Sequence, residues 1–364
     1  MKKRVLNVVG ARPNFMKMAP LMWAYREYPE EFEPVLVHTG QHYDANMSDA
    51  FFEQLGLPAP DVYLGIGSGS HGEQTGRMLI ELEKVMQRDR PDLVVVVGDV
   101  NSTLAGALAA AKLCIPVAHV EAGLRSFDPT MPEEINRKLT DAISEYLFIT
   151  SEDARENLAR EGVAAEKIYF VGNVMIDTLM RMKDLAARSG VRSKLGLDGE
   201  FGFVTLHRPS NVDERETLAS ILQALRTIQE ELPLVFAVHP RTRARMEQFG
   251  FWQEVSDLPR LKVTEPLAYL DSLCLMQHAR LVLTDSGGVQ EETTALGVPC
   301  LTLRKNTERP VTVTEGTNTL VGTDPDRIVE AAREVIRSRG KRGRVPKLWD
   351  GKAAQRIVEV LRRK

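Results

Sequence analysis

Short β-branched runs alternate with helix-length amphipathic stretches along almost the whole chain. In the first half the apolar runs are Val5–Val9, Val35–His38, Leu93–Val97, Val117–Val120, Tyr146–Ile149 and Ile168–Val171. Between them lie stretches of helical periodicity such as Gly72–Gln87 and Ser102–Leu113. Val94–Val97 is apolar at every position, as a parallel strand covered on both faces requires. The βαβα rhythm predicts a doubly wound parallel sheet. It pauses over residues 186–200, which are polar and hold three glycines, so an interdomain linker is placed there. It restarts with Phe203–Leu206, Val235–Val238, Leu261–Val263, Leu281–Thr284 and Pro299–Leu303, separated by helical stretches such as Glu214–Glu230 and Leu267–His278. The reading is an α/β protein of two Rossmann-like domains facing across a cleft. Residues 1–186 form the first domain and 187–350 the second. Residues 351–364 hold a terminal helix, Ala353–Leu361, expected to cross back to the first domain.

Composition changes this picture little. A length of 364 residues fits two domains of ordinary size, and 43% hydrophobic against 27% charged residues leaves material for two cores. A formal net charge of −3 argues against a nucleic-acid binder held by bulk charge. The basic run Arg337–Arg344 reads as a solvated surface. Cys114, Cys274 and Cys300 are far apart in apolar sequence, which fits buried thiols of a reducing cytoplasm and neither a disulfide framework nor a zinc site. The start Met1–Gly10 resembles a signal peptide only until its apolar run meets Arg12-Pro13, so it is read as a first strand. No apolar stretch approaches the ~20 residues that span a bilayer.

Ligands of open α/β sheets sit beyond the carboxyl ends of strands, so the residues just after each strand carry the candidate chemistry. Gly10-Ala11-Arg12-Pro13 follows the first strand. Arg12 and Lys17 there stand near a helix N-terminus, which favours an anion over a mere charged turn. The segment is not the G-x-G-x-x-G fingerprint of a dinucleotide site. Asp99 follows Val94–Val97; it is either a helix cap or a group facing the cleft, with Asn101 and Ser102 available as alternative caps. Glu121 ends an apolar strand, where a carboxylate is costly unless solvated, paired or functional. Glu133 and Glu134 stand in the first turn of a helix opened by Pro132, where complementing the helix dipole would also explain them. Several carboxylates together suit proton transfer. His119 lies inside a strand and is read as a satisfied core histidine.

In the second half, strands end at His207-Arg208-Pro209, at His239-Pro240-Arg241 and at Asp285-Ser286-Gly287-Gly288. The last is the strongest local motif. Its glycines let a phosphate approach the backbone, and the following helix aims free N–H groups at it; a plain turn capped by Ser286 is the alternative. Glu291, one turn on, is placed to accept from ribose hydroxyls. Thr307-Glu308-Arg309-Pro310 could close over the same ligand.

Taken in order, several motifs resemble the non-hydrolysing UDP-N-acetylglucosamine 2-epimerases. They are Gly10-x-Arg12-Pro13 with Lys17, Thr39-Gly40-Gln41-His42, Gly98-Asp99, Val120-Glu121-Ala122-Gly123-Leu124-Arg125, Pro132-Glu133-Glu134-x-Asn136-Arg137, His207-Arg208, Asp285-Ser286-Gly287-Gly288-x-Gln290-Glu291-Glu292 and Thr307-Glu308-Arg309-Pro310. The resemblance covers nearly the whole chain and implies a GT-B-type fold. It also implies reversible epimerisation at C2 by elimination and re-addition of UDP through 2-acetamidoglucal, without nicotinamide cofactor or metal. Asp99, Glu121, Glu133 and His207 match catalytic positions. Arg12, Lys17, His239, Ser286, Gly287, Gly288, Glu291 and Arg309 are the expected substrate contacts, and Gln41, His42 and Arg77 a possible regulatory site. One departure is Ser210, where the family often has Glu after the His-Arg pair. UDP-N-acetylglucosamine and UDP are the expected ligands, a cytoplasmic homodimer the expected state. A glycosyltransferase of the same fold, a hydrolysing epimerase and a non-catalytic UDP-sugar sensor remain as alternatives.

Overall fold

The computed structural model describes residues 2–41, 55–338 and 340–364. Two compact units divide the chain: Met1–Thr178 together with Lys347–Lys364, and Leu179–Pro346. The division falls within the helix Val174–Ala186, upstream of the glycine-containing stretch, which itself carries the short helix Val191–Lys194. Each unit is α/β with one parallel sheet, the fold class expected from the sequence.

The first sheet contains β1 (Lys3–Val9), β2 (Phe32–His38), β3 (Val62–Tyr63), β4 (Leu93–Val97), β5 (Val117–Ala122), β6 (Tyr146–Ile149) and β7 (Ile168–Phe170). Their order is β3-β2-β1-β4-β5-β6-β7. The second contains β8 (Gly202–Thr205), β9 (Leu234–Ala237), β10 (Leu261–Thr264), β11 (Leu281–Thr284), β12 (Cys300–Thr302) and β13 (Asn318–Leu320), ordered β10-β9-β8-β11-β12-β13. Every strand pairing is parallel. In both sheets the order reverses beside the first strand, between β1 and β4 and between β8 and β11. Chains leave the two strands in opposite directions there and open a crevice at their carboxyl ends.

The β4 valines are fully buried, which explains why the run carries no polar alternation. In the second unit Ile221, Leu225 and Ile228 of the helix Arg215–Glu231 share a core with Ile328, Ala332 and Val335 of the helix Pro325–Ser338, over Val204, Phe236 and Leu283. The edge strands β3 and β13 escaped the sequence reading, being two and three residues long. Among the described residues no helix is long and apolar enough to cross a membrane.

The terminal helix Ala353–Arg363 belongs to the first unit. Its amphipathic face buries Ala354, Ile357, Val358 and Leu361. Asp177 supplies its cap: the backbone N–H groups of Ala353 and Ala354 donate to the two Asp177 oxygens at 3.0 and 2.7 Å. Trp349, just before the helix, is buried and donates from its indole to Thr150 O at 2.9 Å.

Burial pushes the Asp177 carboxyl up to about 6, against the two N–H bonds that favour its charged form. A carboxyl whose native pKa lies above its unfolded value binds its proton more tightly when folded. Its contribution to stability is therefore full below the unfolded value and is lost as pH rises toward about 6. Asp177→Asn should keep an acceptor for the helix and remove this pH dependence. Asp177→Ala should leave the N–H groups unmet and cost about 1–2 kcal/mol. Urea unfolding of the three proteins at pH 4.5 and 7 checks both; equal pH dependence of wild type and Asp177→Asn would refute the assignment.

Candidate active site

In the first unit the crevice between β1 and β4 is built by one asparagine. Asn14 Oδ1 accepts the N–H groups of Gly10 and Ala11, each at 3.1 Å, and Asn14 Nδ2 donates to Val97 O at 3.0 Å. The turn after β1 is thereby tied to the end of β4. Arg12 lies exposed at the start of the helix Arg12–Tyr25. Lys17, one turn on, points inward and is only 5% exposed. Its ammonium reaches both oxygens of Glu121 at 2.8 Å. Gly98 has φ +69, and a Cβ on it would meet Lys17 Nζ at 2.8 Å, so the lysine passes where only glycine leaves room. Lys17 and Glu121 were expected in separate roles, as an anion contact and a catalytic acid; the structure joins them in one buried pair.

Glu121 has φ +74 and 2% exposure, and the register of β5 against β6 shifts between Val120 and Ala122. A non-glycine residue in the left-handed region costs about 1–3 kcal/mol and persists only where its surroundings fix it. Asp99, at the end of β4, is gripped through Oδ2 by Arg137 Nε at 3.0 Å and Nη2 at 2.8 Å. Asn136 Nδ2 donates to Asp99 O at 2.9 Å.

The geometry separates the two glutamates that the sequence left open. Glu134 is buried, accepts from Ser126 N and Oγ and from Phe127 N, and pairs with Arg137 at 2.7 Å. Burial works to raise its carboxyl, yet the Ser126 bonds and Arg137 outweigh that and hold it below the usual carboxylate range. Glu134 is thus a fixed part of the loop. Glu133 is half-buried, and no hydrogen bond or ion pair ties it down among the described residues.

In the second unit Asp285 plays the part that Asn14 plays in the first. It is fully buried at the end of β11 and accepts from His207 N, Arg208 N and Asn211 Nδ2 across the crevice, at 2.9 to 3.2 Å. His207 Nδ1 lies 3.2 Å from Asp285 Oδ1. Burial opposes ionisation of Asp285, but the His207 and Arg208 bonds prevail and hold its carboxyl below the usual range. The histidine is thus held by one ring nitrogen with Nε2 directed elsewhere. The His239 ring stands 5.7 Å from it, centroid to centroid, and its Nδ1 accepts from Arg241 N at 3.2 Å. Surrounding protein and the neighbouring His207 hold the His239 pKa below its ordinary value.

Ser286 precedes the helix Gly287–Leu296 without capping it through its side chain. A Cβ on Gly287 would meet Arg309 Nη1 at 2.5 Å and Glu308 Oε1 at 2.8 Å, so a guanidinium lies directly behind the first helical turn that Gly287 and Gly288 form. Glu308 is 1% exposed and meets Arg208, Arg304 and Arg309. Glu291, expected to accept from a ligand, is fully buried and holds Arg309 Nε at 2.8 Å. Its neighbour Glu292 accepts from Tyr269 Oη at 2.9 Å. The cluster interleaves the Arg208, Arg304 and Arg309 guanidiniums with Glu291 and Glu308 beneath a helix N-terminus, whose free N–H groups suit an anion. Burial holds the Arg304 guanidinium below its usual range, against the pull of Glu308.

Of the proposed regulatory residues, Gln41 is buried, its Oε1 accepting from Ser102 N and Oγ at 3.0 and 2.7 Å. Arg77 is on the surface and donates to Ser68 O at 3.1 Å. His42 lies outside the described residues. Sequence reasoning missed the supporting groups Asn14, Arg137, Asp285 and Glu308. Each stands inside a motif, but what it holds is distant in sequence.

The family model of UDP-N-acetylglucosamine 2-epimerase matches residues 26–362. The UDP-N-acetylglucosamine 2-epimerase of Methanocaldococcus jannaschii is 46% identical over 97% of each chain. The UDP-2,3-diacetamido-2,3-dideoxy-D-glucuronate 2-epimerase of Pseudomonas aeruginosa is likewise 46% identical, over 98% of this chain and 99% of its own. A crystal structure of the M. jannaschii UDP-GlcNAc 2-epimerase in complex with UDP-GlcNAc and UDP superimposes with a TM-score of 0.92 at 45% identity, covering 99% of this chain and 100% of that one.

Glu308 and Glu133 should respond oppositely to neutralisation. Glu308→Gln removes the carboxylate between the buried Arg304 and Arg309 and the half-buried Arg208 and should cost about 3 kcal/mol. Glu133→Gln should change stability by less than about 0.5 kcal/mol. Urea unfolding curves of the two variants check this, and a tolerated Glu308→Gln would refute the cluster's dependence on that carboxylate.

Proposed function

The chain belongs to the UDP-N-acetylglucosamine 2-epimerase family, and on that premise we propose that it interconverts UDP-N-acetylglucosamine and UDP-N-acetylmannosamine. The observation that carries this reading is the division of labour between the two crevices. The first has the carboxylates Asp99 and Glu121 at its strand ends, with Glu133 opening the helix that follows β5; the second has guanidiniums beneath a glycine-opened helix.

The reaction must invert a carbon that bears no acidifying carbonyl. A carboxylate of the first unit takes the proton from C2, the C1–O bond to UDP breaks, and its electron pair leaves with the diphosphate. The product pair is 2-acetamidoglucal and UDP. A proton then returns to the opposite face of C2, and UDP adds back to C1. Two faces need two proton-carrying groups, which the crowding of carboxylates supplies. Departing negative charge needs fixed positive charge and N–H groups. Arg309, Ser286 and the N–H groups at Gly287 and Gly288 supply those from the second unit. His207, oriented by Asp285, donates toward the leaving phosphate, and His239 stands beside it. Lys17 acts through Glu121, and Glu291 through Arg309. The protein works in the cytoplasm as a homodimer, a reading supported by the family resemblance and by the buried free thiols Cys274 and Cys300, whereas Cys114, expected to be buried, is exposed.

A second substrate has a specific observation behind it. The P. aeruginosa relative, equally similar, is named for a diacetamido glucuronate, and Ser210 stands where many family members carry Glu. Removing a carboxylate relieves repulsion of a uronate. Conversion of both UDP-sugars, followed by chromatography of the products, tests the assignment; turnover of the uronate alone would overturn the proposed substrate. Asp99→Asn, Glu121→Gln and Glu133→Gln should each lower kcat on the order of a hundredfold or more. Near-normal turnover in any one removes that residue from the proton-transfer set.

A further inference from the structure

His119 and Asp141 lie behind the catalytic carboxylates and touch both turns that carry them. His119 is on β5 and fully buried; Asp141, on the helix Pro132–Ile143, is 1% exposed. The imidazole Nε2 is 2.8 Å from Gly98 O, and Nδ1 is 2.6 Å from Asp141 Oδ1. Asp141 Oδ2 accepts from Gly123 N at 3.1 Å and from Arg125 Nη2 at 2.7 Å. Arg125 also holds Glu161 through Nε and Nη2 at 2.8 and 2.6 Å.

Gly98 O is a carbonyl oxygen and only accepts, so Nε2 carries the hydrogen of that bond. Burial works to raise the Asp141 carboxyl, but His119 and Arg125 outweigh it and hold it below the usual carboxylate range.

Each turn it touches is in a conformation that needs holding. Gly98 has φ +69 and precedes Asp99; Glu121 has φ +74 and Gly123 φ +78. We infer that His119 and Asp141 are positioning residues that lock the Gly98-Asp99 turn and the Glu121–Gly123 turn into one fixed relation. The imidazole pins the first turn through Gly98 O, and the carboxylate pins the second through Gly123 N. An apolar pair could fill the same space but would leave that carbonyl and that N–H unmet.

This inference rests on Asp99 and Glu121 acting at the sugar. The full-length His119→Phe protein keeps the ring volume and loses both ring nitrogens. With the turns released, kcat should fall about a hundredfold, while the dissociation constant for UDP, held by the other unit, should stay within about twofold of wild type. His119→Gln can still donate to Gly98 O and should recover part of the loss. A folded His119→Phe with wild-type kcat while Asp99→Asn is dead, or a His119→Gln no better than His119→Phe, overturns the positioning role alone. Wild-type kcat in both Asp99→Asn and Glu121→Gln overturns the catalytic reading and this inference with it.

Discussion

Glu121 is unfavourable twice over, and much of the first unit exists to hold it. Its carboxylate is buried, and its backbone is left-handed at φ +74. Lys17 answers the first problem with an ammonium at 2.8 Å. The route of that lysine then requires a glycine at 98, and Gly98 in turn shapes the approach to Asp99. Asn14 ties the end of β4 to the turn after β1. A single strained carboxylate thus accounts for residues at the ends of β4 and β5 and on the first helix. Strain of this kind belongs at a site where placement matters more than stability.

The second unit solves a related problem with the opposite charge. Its crevice also opens beside the first strand of the sheet, and a buried polar residue again crosses it: Asp285 there, Asn14 in the first unit. What differs is what the crevice presents. Behind Gly287 lies a guanidinium cluster centred on Glu308. Burying several like charges is tolerable because carboxylates are interleaved with them. An anionic leaving group is the natural complement to the helix N-terminus in front of them.

Most of the fold was legible because parallel strands covered on both faces leave continuous apolar runs; Val94–Val97 is the plainest case. β3 and β13 were not legible. They are edge strands of two and three residues whose pairing is set by neighbours, not by their own pattern. At the site, position after a strand picked out Asp99, Glu121, His207 and Ser286, and the structure places all four at or just beyond strand ends. It failed to divide work within a motif. Nothing local distinguishes Glu133, half-buried and untied, from Glu134, which closes a loop. Nothing local shows that Glu291 faces Arg309. His119 reads as a core histidine and is one, but its partners Gly98 and Asp141 are 21 and 22 residues away in sequence, and its own neighbours along the strand do not reveal them.

The central claim is that chemistry occurs at C2 of a UDP-sugar through proton removal and return. Incubation with UDP-N-acetylglucosamine in deuterated water, followed by mass and proton spectra of both epimers, reads that event directly. The account predicts deuterium at C2 of UDP-N-acetylmannosamine as it forms and, at equilibrium, at C2 of the remaining substrate. Epimerisation without solvent deuterium at C2, or no epimer at all from folded protein that binds UDP, would contradict it.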